Sequence, residues 1–182
     1  MKYLVIVNGK PGSGKTTFET ECQKYLELND LAYGMMVSSI DHIKDIYRML
    51  GWNGMKTVKA RKDLHTLKQM WIDTCDGPTK FITKHMLDLD DRDDYVVFTD
   101  IREESEIIKL AEVMDVLSIM DMRCTTVFIS RPDNDGIEHG NKSDDMVGSN
   151  MSIYEHIIVN DGDIRQFREM ACEFIKSLME EE

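Results

Sequence analysis

The chain is 182 residues long, which suits one domain whose sheet is covered by helices on both faces. Its formal net charge of −12 argues against broad binding to nucleic acids or anionic membranes, because both require a basic surface. The sequence has no apolar run near the roughly 20 residues that cross a bilayer, no signal-peptide pattern, and four cysteines without C-x-x-C or zinc-ligand spacing. We therefore expect a cytoplasmic protein with a single domain over residues 1–182, with reduced cysteines and no membrane or nucleic-acid partner.

Short apolar runs alternate along the chain with segments of helical period. The runs predict five strands, at residues 3–7, 33–37, 95–99, 125–129 and 156–159. Helical spacing and breaker residues predict helices at 17–28, 41–50, 58–75, 79–89, 103–120 and 164–179. The stretch Asp76-Gly77-Pro78 is expected to break the chain between two of them, and the polar segment 133–150 to form a loop or lid. Strands that alternate with helices predict an α/β fold with a parallel sheet wound on both faces.

The first predicted strand runs into a glycine-rich loop, Gly9-Lys10-Pro11-Gly12-Ser13-Gly14-Lys15-Thr16, which fits G-x-x-x-x-G-K-[ST] without a mismatch. A strand before this pattern and a helix after it indicate a nucleotide-phosphate site; the alternative is a glycine-rich turn without a ligand. Glycines allow backbone N–H groups to surround an anion, and the helix N-terminus adds roughly half a positive charge. Lys15 is expected to reach the β- and γ-phosphates of ATP, and the Thr16 hydroxyl to hold Mg²⁺. The predicted phosphate-binding residues are Gly9, Pro11, Gly12, Ser13, Gly14, Lys15, Thr16 and Thr17.

The third predicted strand closes on Asp100, which is followed by Ile101 and Arg102. An aspartate at the carboxyl end of a buried strand lies beside the phosphate loop in such a fold, where ligands bind. Asp100 could therefore order Mg²⁺ through water or orient an acceptor, and Arg102 could bind a phosphate through both arms of its guanidinium. The structural alternative is that Asp100 caps the next helix and Arg102 pairs with Glu106.

Two basic residues could enter the site from the lid segment. Arg131 closes the fourth predicted strand, and Lys142 lies in the polar segment. Cationic groups there would stabilise a transferring phosphoryl group. The alternative is that both side chains are only solvated. Lys142 also belongs to Asn141-Lys142-Ser143-Asp144, which matches the N-K-x-D pattern that reads guanine in GTPases. In GTPases that pattern follows a buried strand, whereas a polar stretch precedes it here, and the segment at Asp100 lacks D-x-x-G. A switch GTPase is therefore disfavoured.

Other candidates follow the second and fifth predicted strands. Asp41 comes after the second strand, and Arg61 belongs to a basic group that would suit a phosphate-bearing acceptor or form a solvated helix face. Asn160 could lie near the adenine, although helix capping by Asp161 or Asp163 explains this turn equally well. The basic group consists of Arg48, Lys56, Lys59, Arg61 and Lys62.

Both tryptophans are expected to serve packing. Trp52 could stack on a base, but core packing is the favoured interpretation. Trp71 lies on one apolar stripe of its helix with Leu64, Leu67 and Met70, which predicts a core position.

Together these motifs resemble the P-loop kinases that phosphorylate nucleoside monophosphates, and in particular the phage-type deoxynucleoside monophosphate kinases. The segments that carry the resemblance cover most of the chain and are 9–16, 38–44, 51–54, 59–61, 99–103, 129–132 and 157–163. The resemblance implies a three-layer P-loop NTPase fold with a five-stranded parallel sheet, a helical acceptor-binding region at about 39–90 and a lid at about 132–152. It also implies transfer of the γ-phosphoryl group of ATP to a monophosphate, with Mg²⁺. One departure is that this lid offers only Arg131 and Lys142, where related kinases often bring several arginines.

The resulting hypothesis is a Mg·ATP-dependent kinase for a small phosphorylated acceptor, with a (deoxy)nucleoside monophosphate as the favoured one. The assigned roles are catalysis for Lys15, Asp100, Arg102 and Arg131, acceptor binding for Asp41, Arg61 and Arg102, metal binding for Thr16 and Asp100, and nucleotide binding for Asn160. One rival is a P-loop kinase for another small phosphorylated metabolite. The other is a nucleotide-binding regulatory protein without transferase activity.

Overall fold

Strands and helices alternate along the whole chain. The computed structural model describes residues 1–55, 57–89, 94–118, 121–132 and 147–180. The strands are β1 (Lys2–Asn8), β2 (Tyr33–Met36), β3 (Tyr95–Asp100), β4 (Met122–Ser130) and β5 (His156–Val159). The helices are α1 (Lys15–Leu28), α2 (Asp41–Met49), α3 (Val58–Cys75), α4 (Gly77–Asp88), α5 (Glu104–Leu117) and α6 (Ile164–Glu180), with a 3₁₀ turn at Met151–Ile153. Within these described ranges, no helix has both the length and the apolar character needed to cross a membrane.

The five described strands form one parallel sheet in the order β2-β3-β1-β4-β5, which confirms the predicted α/β fold. β1 is central, with Val7 beside Asp100 of β3 on one side and beside Val127 of β4 on the other. Its side chains are apolar along nearly its whole length because helices cover both faces of the sheet. Since parallel strands end at the same edge, the residues that follow β1, β3 and β4 lie near one another.

Alternate side chains of β1 face two separate cores. Tyr3, Val5 and Val7 pack with residues of α1 and α6, whereas Leu4 and Ile6 pack with residues of α4 and α5. This division follows from the two-residue period of a strand. Burial of each large aliphatic side chain contributes about 1.5–3 kcal/mol. The two helix layers and the sheet between them make the predicted three-layer architecture.

The helix boundary at the phosphate loop differs from the prediction. α1 begins at Lys15 rather than at Thr17, because Gly14, with a φ of +109°, ends the loop and the helix follows at once. The loop is therefore shorter than expected, and Lys15 is already part of the first helical turn.

The break between α3 and α4 is also shorter than predicted. Asp76 alone turns the chain, with a φ of +58°, and Gly77 and Pro78 already belong to α4. Proline is accepted there because the first turn of a helix has no partner for the N–H that proline lacks. Gly77 is required by space, since a Cβ at this position would lie 1.9 Å from the ring of Trp71.

The apolar stripe predicted on α3 is partly wrong. Met70 is 61% exposed, whereas Lys68 is buried. Trp71 is half-buried and packs on His42 and Phe81, with ring centroids 5.2 and 6.0 Å away, outside the two cores that flank the sheet. Periodicity therefore located an apolar face but not the elements that cover it.

The core position predicted for Trp52 is wrong. This side chain is half-buried and stacks on Tyr47 of α2, with ring centroids 5.2 Å apart. Its indole N–H donates to the backbone oxygen of Met55 at 2.9 Å, and the guanidinium of Arg48 lies 5.8 Å from its ring centroid. Trp52 belongs to neither of the two cores that flank the sheet.

Candidate functional site

The loop between β1 and α1 has a backbone that favours glycine at two closely packed positions. Gly9 and Gly14 have φ angles of +150° and +109°. A Cβ on Gly9 would lie 2.4 Å from the carbonyl oxygen of Ile129, and one on Gly14 would lie 2.8 Å from both Asn160 Nδ2 and Phe167 Cε1. These glycines therefore serve the loop conformation and its close approach to β4 and α6.

The Lys15 side chain lies over this loop. Its Nζ donates to the carbonyl oxygens of Gly9 at 2.6 Å and Lys10 at 3.1 Å. Lys15 and Thr16 form the first turn of α1, where backbone N–H groups lack partners within the helix and attract anions. The Thr16 side chain is exposed at this turn. An ammonium group beside a helix N-terminus can bind a chain of phosphates.

Two predicted residues from other parts of the sheet edge contact the loop. Asn160, after β5, donates from Nδ2 to the carbonyl oxygen of Ser13 at 2.8 Å. Arg131, after β4, donates from Nη1 to the carbonyl oxygen of Gly12 at 3.5 Å. The proposed capping role of Asp163 also holds, because its Oδ1 accepts from two N–H groups of the first turn of α6, at 2.8 and 2.9 Å.

A buried asparagine that the sequence analysis missed connects β1 to the segment after β3. Asn8 is fully buried, and its Nδ2 donates to the backbone oxygen of Arg102 at 3.3 Å and to Tyr154 Oη at 2.7 Å. Burial raises the pKa of Tyr154, so this phenol stays protonated. The available signal was a polar residue at the end of an otherwise apolar strand. Asn8 thereby positions the backbone of Arg102 relative to the phosphate loop.

Asp100 ends β3 beside Val7, close to the phosphate loop. Its backbone oxygen accepts a hydrogen bond from Ser39 Oγ at 3.3 Å, which connects the end of β3 to the segment after β2. The alternative in which Asp100 caps α5 is wrong, because α5 begins at Glu104 with Glu103 as its N-cap.

A second missed residue is Glu19, a buried acid in α1. Glu19 comes three and four positions after Thr16 and Lys15, so it lies one turn further along α1 on the same face of the helix. Burial, together with the nearby charge of Asp100, raises the pKa of Glu19 to about 8, against the opposing effect of Lys15. Its place three residues before Cys22, on the apolar stripe of α1, was the available signal.

Two of the three predicted acceptor residues lie on helices, and the third follows β3. Asp41, at the start of α2, accepts hydrogen bonds from the backbone N–H of Ser38 at 2.9 Å and from Lys44 Nζ at 2.7 Å. Arg61 is exposed on α3. Arg102 is exposed after β3, and Glu106, its partner in the alternative interpretation, lies 2.8 Å from a lysine of α3.

Part of the basic group forms a solvated helix face, which is the alternative to acceptor binding given for these residues. Arg48 pairs with Asp45 at 2.6 Å, and Lys59 pairs with Asp63 at 2.7 Å, each on its own helix. Two further predictions, Lys56 and most of the lid with Lys142, lie outside the described residues.

The donor groups of this site suit a nucleotide phosphate chain with Mg²⁺. Among the described residues, Ser13 Oγ is buried without a hydrogen-bond partner, inside the loop that would surround the phosphates. The hydroxyl of Thr16 and the carboxylate of Asp100 are the hard oxygen ligands that Mg²⁺ prefers. The described chain contains no group of three or more His, Cys, Asp or Glu residues that could hold a metal alone. A magnesium ion held largely by phosphate oxygens needs no such group.

Solved structures share this architecture. Neither a known family profile nor a curated protein sequence matches the chain. The APS kinase of Mycobacterium tuberculosis, solved with AMPPNP and APS, is 14% identical with a TM-score of 0.52, over 97% of this chain and 97% of that chain. The thymidylate kinase of Ehrlichia chaffeensis is 15% identical with a TM-score of 0.50, over 98% of this chain and 100% of that chain. The chain has the fold of P-loop kinases.

The P-loop kinase fold explains how separate sequence motifs meet. The carboxyl ends of three adjacent strands carry the phosphate loop after β1, Asp100 and Arg102 at the end of β3, and Arg131 after β4. Asn160 joins them from the end of β5. These groups therefore lie along one edge of the sheet, although they are far apart in sequence.

Proposed function

We propose that this chain is a kinase that transfers the γ-phosphoryl group of ATP to a small phosphorylated acceptor, a (deoxy)nucleoside monophosphate. The observation that carries the proposal is the sheet edge at which Arg131, after β4, contacts a glycine-lined loop, while Asn8 holds the backbone of Arg102, after β3, next to that loop. Lys15 and Arg131 contact the loop. Arg102 follows β3, and its backbone oxygen accepts a hydrogen bond from Asn8. Such an arrangement suits two phosphate-bearing molecules side by side. The P-loop kinase fold supports the same reaction class.

The ATP side of the proposal uses the loop and α1. Backbone N–H groups of residues 12–15 surround the β-phosphate, and Lys15 exchanges the carbonyls of Gly9 and Lys10 for the β- and γ-phosphates. Asn160 keeps the loop in shape through Ser13. When bound with ATP, Mg²⁺ neutralises charge on the β- and γ-phosphates, and Thr16 and Asp100 are the residues that would hold it.

The acceptor side uses the segment after β3 and the helices α2 and α3. Arg102 binds the acceptor phosphate through two parallel N–H donors, and its backbone is held by Asn8. Arg131 offsets the charge of the group in transfer. Asp41 and Arg61 bind the remainder of the acceptor. An acceptor phosphate is already anionic near neutral pH, so the reaction requires no strong base.

A coupled ADP-release assay tests the proposal. The purified chain is incubated with Mg·ATP and each common ribo- and deoxyribonucleoside monophosphate, with a no-acceptor control and detection of the diphosphate product. We expect ADP release that depends on one or a few monophosphates. In the same assay, Arg102→Ala should raise the KM for the acceptor more than the KM for ATP. An effect confined to the KM for ATP would contradict the acceptor role of Arg102.

A second candidate is a kinase for another small phosphorylated metabolite. The fold likeness to an enzyme solved with APS favours it, since the same architecture there accompanies a different phosphorylated compound. Turnover with such a compound, and none with any monophosphate, would replace the first proposal by this one. ATP binding without any transfer would instead point to a regulatory protein.

A further inference from the structure

A buried ion cluster joins α3 to the segment that follows β3. Lys68, in the middle of α3, is only 6% exposed. Its Nζ donates to Glu103 Oε2 at 2.5 Å and lies 2.8 Å from Glu106 Oε2. Removing an ammonium group from water is costly, so a lysine in such a place is well paired or functional. This cluster lies outside the groups that contact the phosphate loop.

Both carboxylates of the cluster are sequence neighbours of Arg102. Glu103 follows it directly and is the N-cap of α5, and Glu106 lies in the first turn of that helix. Burial alone would raise the pKa of Glu103, but Lys68 outweighs burial and Arg102 adds to its effect, so the pKa is lowered. Arg102 is thus within electrostatic reach of a carboxylate that Lys68 holds.

We propose that Lys68 is a positioning residue for Arg102. By holding Glu103 and Glu106, Lys68 keeps these carboxylates from drawing the Arg102 guanidinium away from the acceptor phosphate. The inference rests on the proposed function, in which Arg102 binds the acceptor. Because Lys68 belongs to α3, it also connects the helical region between β2 and β3 to the segment that carries Arg102.

The first test is kinetic and uses Lys68→Met, which removes the charge and keeps the length of the side chain. With Lys68 gone, Glu103 pairs with Arg102, and the KM for the acceptor should rise about tenfold while the KM for ATP stays near wild type. The double variant Lys68→Met/Glu103→Gln should bring the acceptor KM back toward wild type. An unchanged acceptor KM in Lys68→Met, or no recovery in the double variant, overturns the inference.

Lys109→Met is the matched control. Lys109 Nζ lies 2.8 Å from Asp76 Oδ2 and joins α5 to the end of α3, so it connects the same two helices without contacting Glu103. We expect it to leave the acceptor KM unchanged. An increase equal to that of Lys68→Met would show that loosened contact between α3 and α5 causes the effect, and the inference would be wrong.

A second test does not depend on turnover or on a known acceptor. The pKa of the Glu103 carboxyl is measured by ¹³C NMR titration in folded Lys68→Met and in Lys68→Met/Arg102→Ala. If Arg102 replaces Lys68 as the partner, the pKa of Glu103 stays below its ordinary value in the single variant and rises in the double variant. A pKa that already rises in Lys68→Met means that Arg102 does not take the carboxylate.

Arg102→Ala separates failure of the inference from failure of the proposed function. If Arg102→Ala leaves the acceptor KM unchanged, Arg102 does not bind the acceptor, and both the acceptor assignment and the role of Lys68 are wrong. If Arg102→Ala raises the acceptor KM and Lys68→Met does not, only the role of Lys68 is wrong.

Discussion

At the scale of single residues, Lys15 carries the charge that the proposed reaction needs at the phosphate loop. Lys15→Met should lower kcat/KM for ATP about 10³-fold, because a preorganised cationic donor to the phosphates is lost. The fold should persist, since Lys15 is not fully buried and its ammonium contacts backbone oxygens of the loop. Steady-state kinetics with ATP as the varied substrate measure the effect.

Lys24→Met provides the control for this variant. Lys24 is exposed on the same helix and pairs with Glu21 at 2.9 Å, away from the loop. It should retain the activity of the unmodified chain. Wild-type rates in Lys15→Met would contradict the assignment of the loop as the ATP-phosphate site.

Glu19 makes the stability of the chain depend on pH. Its pKa is about 8 in the folded chain against an ordinary value of 4.5, because burial and Asp100 outweigh Lys15. Between these values the folded chain keeps a proton that the unfolded chain releases, so the free energy of unfolding falls as pH rises, by up to about 1.4 kcal/mol per pH unit. The contribution is complete below about pH 4.5 and is lost as pH rises through about 8.

Glu19→Gln should therefore flatten the decline in stability across this range of pH. Denaturant unfolding at several pH values, without Mg²⁺ or nucleotide, compares the variant with the unmodified chain. The ion cluster of Lys68 is present in both proteins, so its own pH dependence cancels in the difference. Parallel curves for the two proteins would contradict the buried, protonated state of Glu19.

At the scale of elements, the phosphate loop depends on its contact with the turn before α6. Asn160→Ala removes the hydrogen bond to the carbonyl oxygen of Ser13, worth about 1 kcal/mol, and should raise the KM for ATP about fivefold. The KM for the acceptor should change little. Asp161→Ala, at the exposed neighbouring position, is the control. A larger change in the acceptor KM than in the KM for ATP would argue against this role.

The elements themselves were largely predictable from the sequence. α3 and β5 have the predicted bounds, because each has a clear period or apolar run between breaker residues. The burial of Lys68 was not predictable, since its partner Glu103 precedes α5 and is 35 residues away in sequence. The exposure of Met70, on the predicted apolar stripe, was not predictable either, because an apolar stripe in the sequence does not show which elements cover it.

Some residues of the candidate site were predictable from local sequence, whereas others depend on contacts between distant segments. The phosphate loop could be predicted because eight consecutive residues carry its chemistry and its backbone conformation. Asn8 and Glu19 could not, because Arg102, which Asn8 contacts, and Asp100, whose charge acts on Glu19, come from the segment after β3 and from β3. A single sequence indicates polar residues in apolar settings, and the fold determines what they contact.

At the scale of the whole molecule, ligand binding should stabilise the folded chain. ATP with Mg²⁺ at about 100 times its Kd adds about 2.7 kcal/mol, which raises the Tm by roughly 5–10 °C for a chain of this size. Thermal unfolding followed by circular dichroism measures the shift, and Lys15→Met should reduce it. A shift of the same size with inorganic sulfate at equal concentration would indicate general anion binding instead.

The central position of β1 has a consequence for how the chain acquires its structure. Lys2 pairs with Tyr95 on one side and with Met122 on the other, so the middle strand of the sheet precedes both of its partners by a long stretch of chain. During synthesis its apolar side chains have no sheet to join until β3 and β4 have emerged. Pairing between such distant segments is slow, and unpaired apolar strands aggregate. The newly made chain is therefore most vulnerable before β4 is complete, and sheet assembly should limit the rate of refolding.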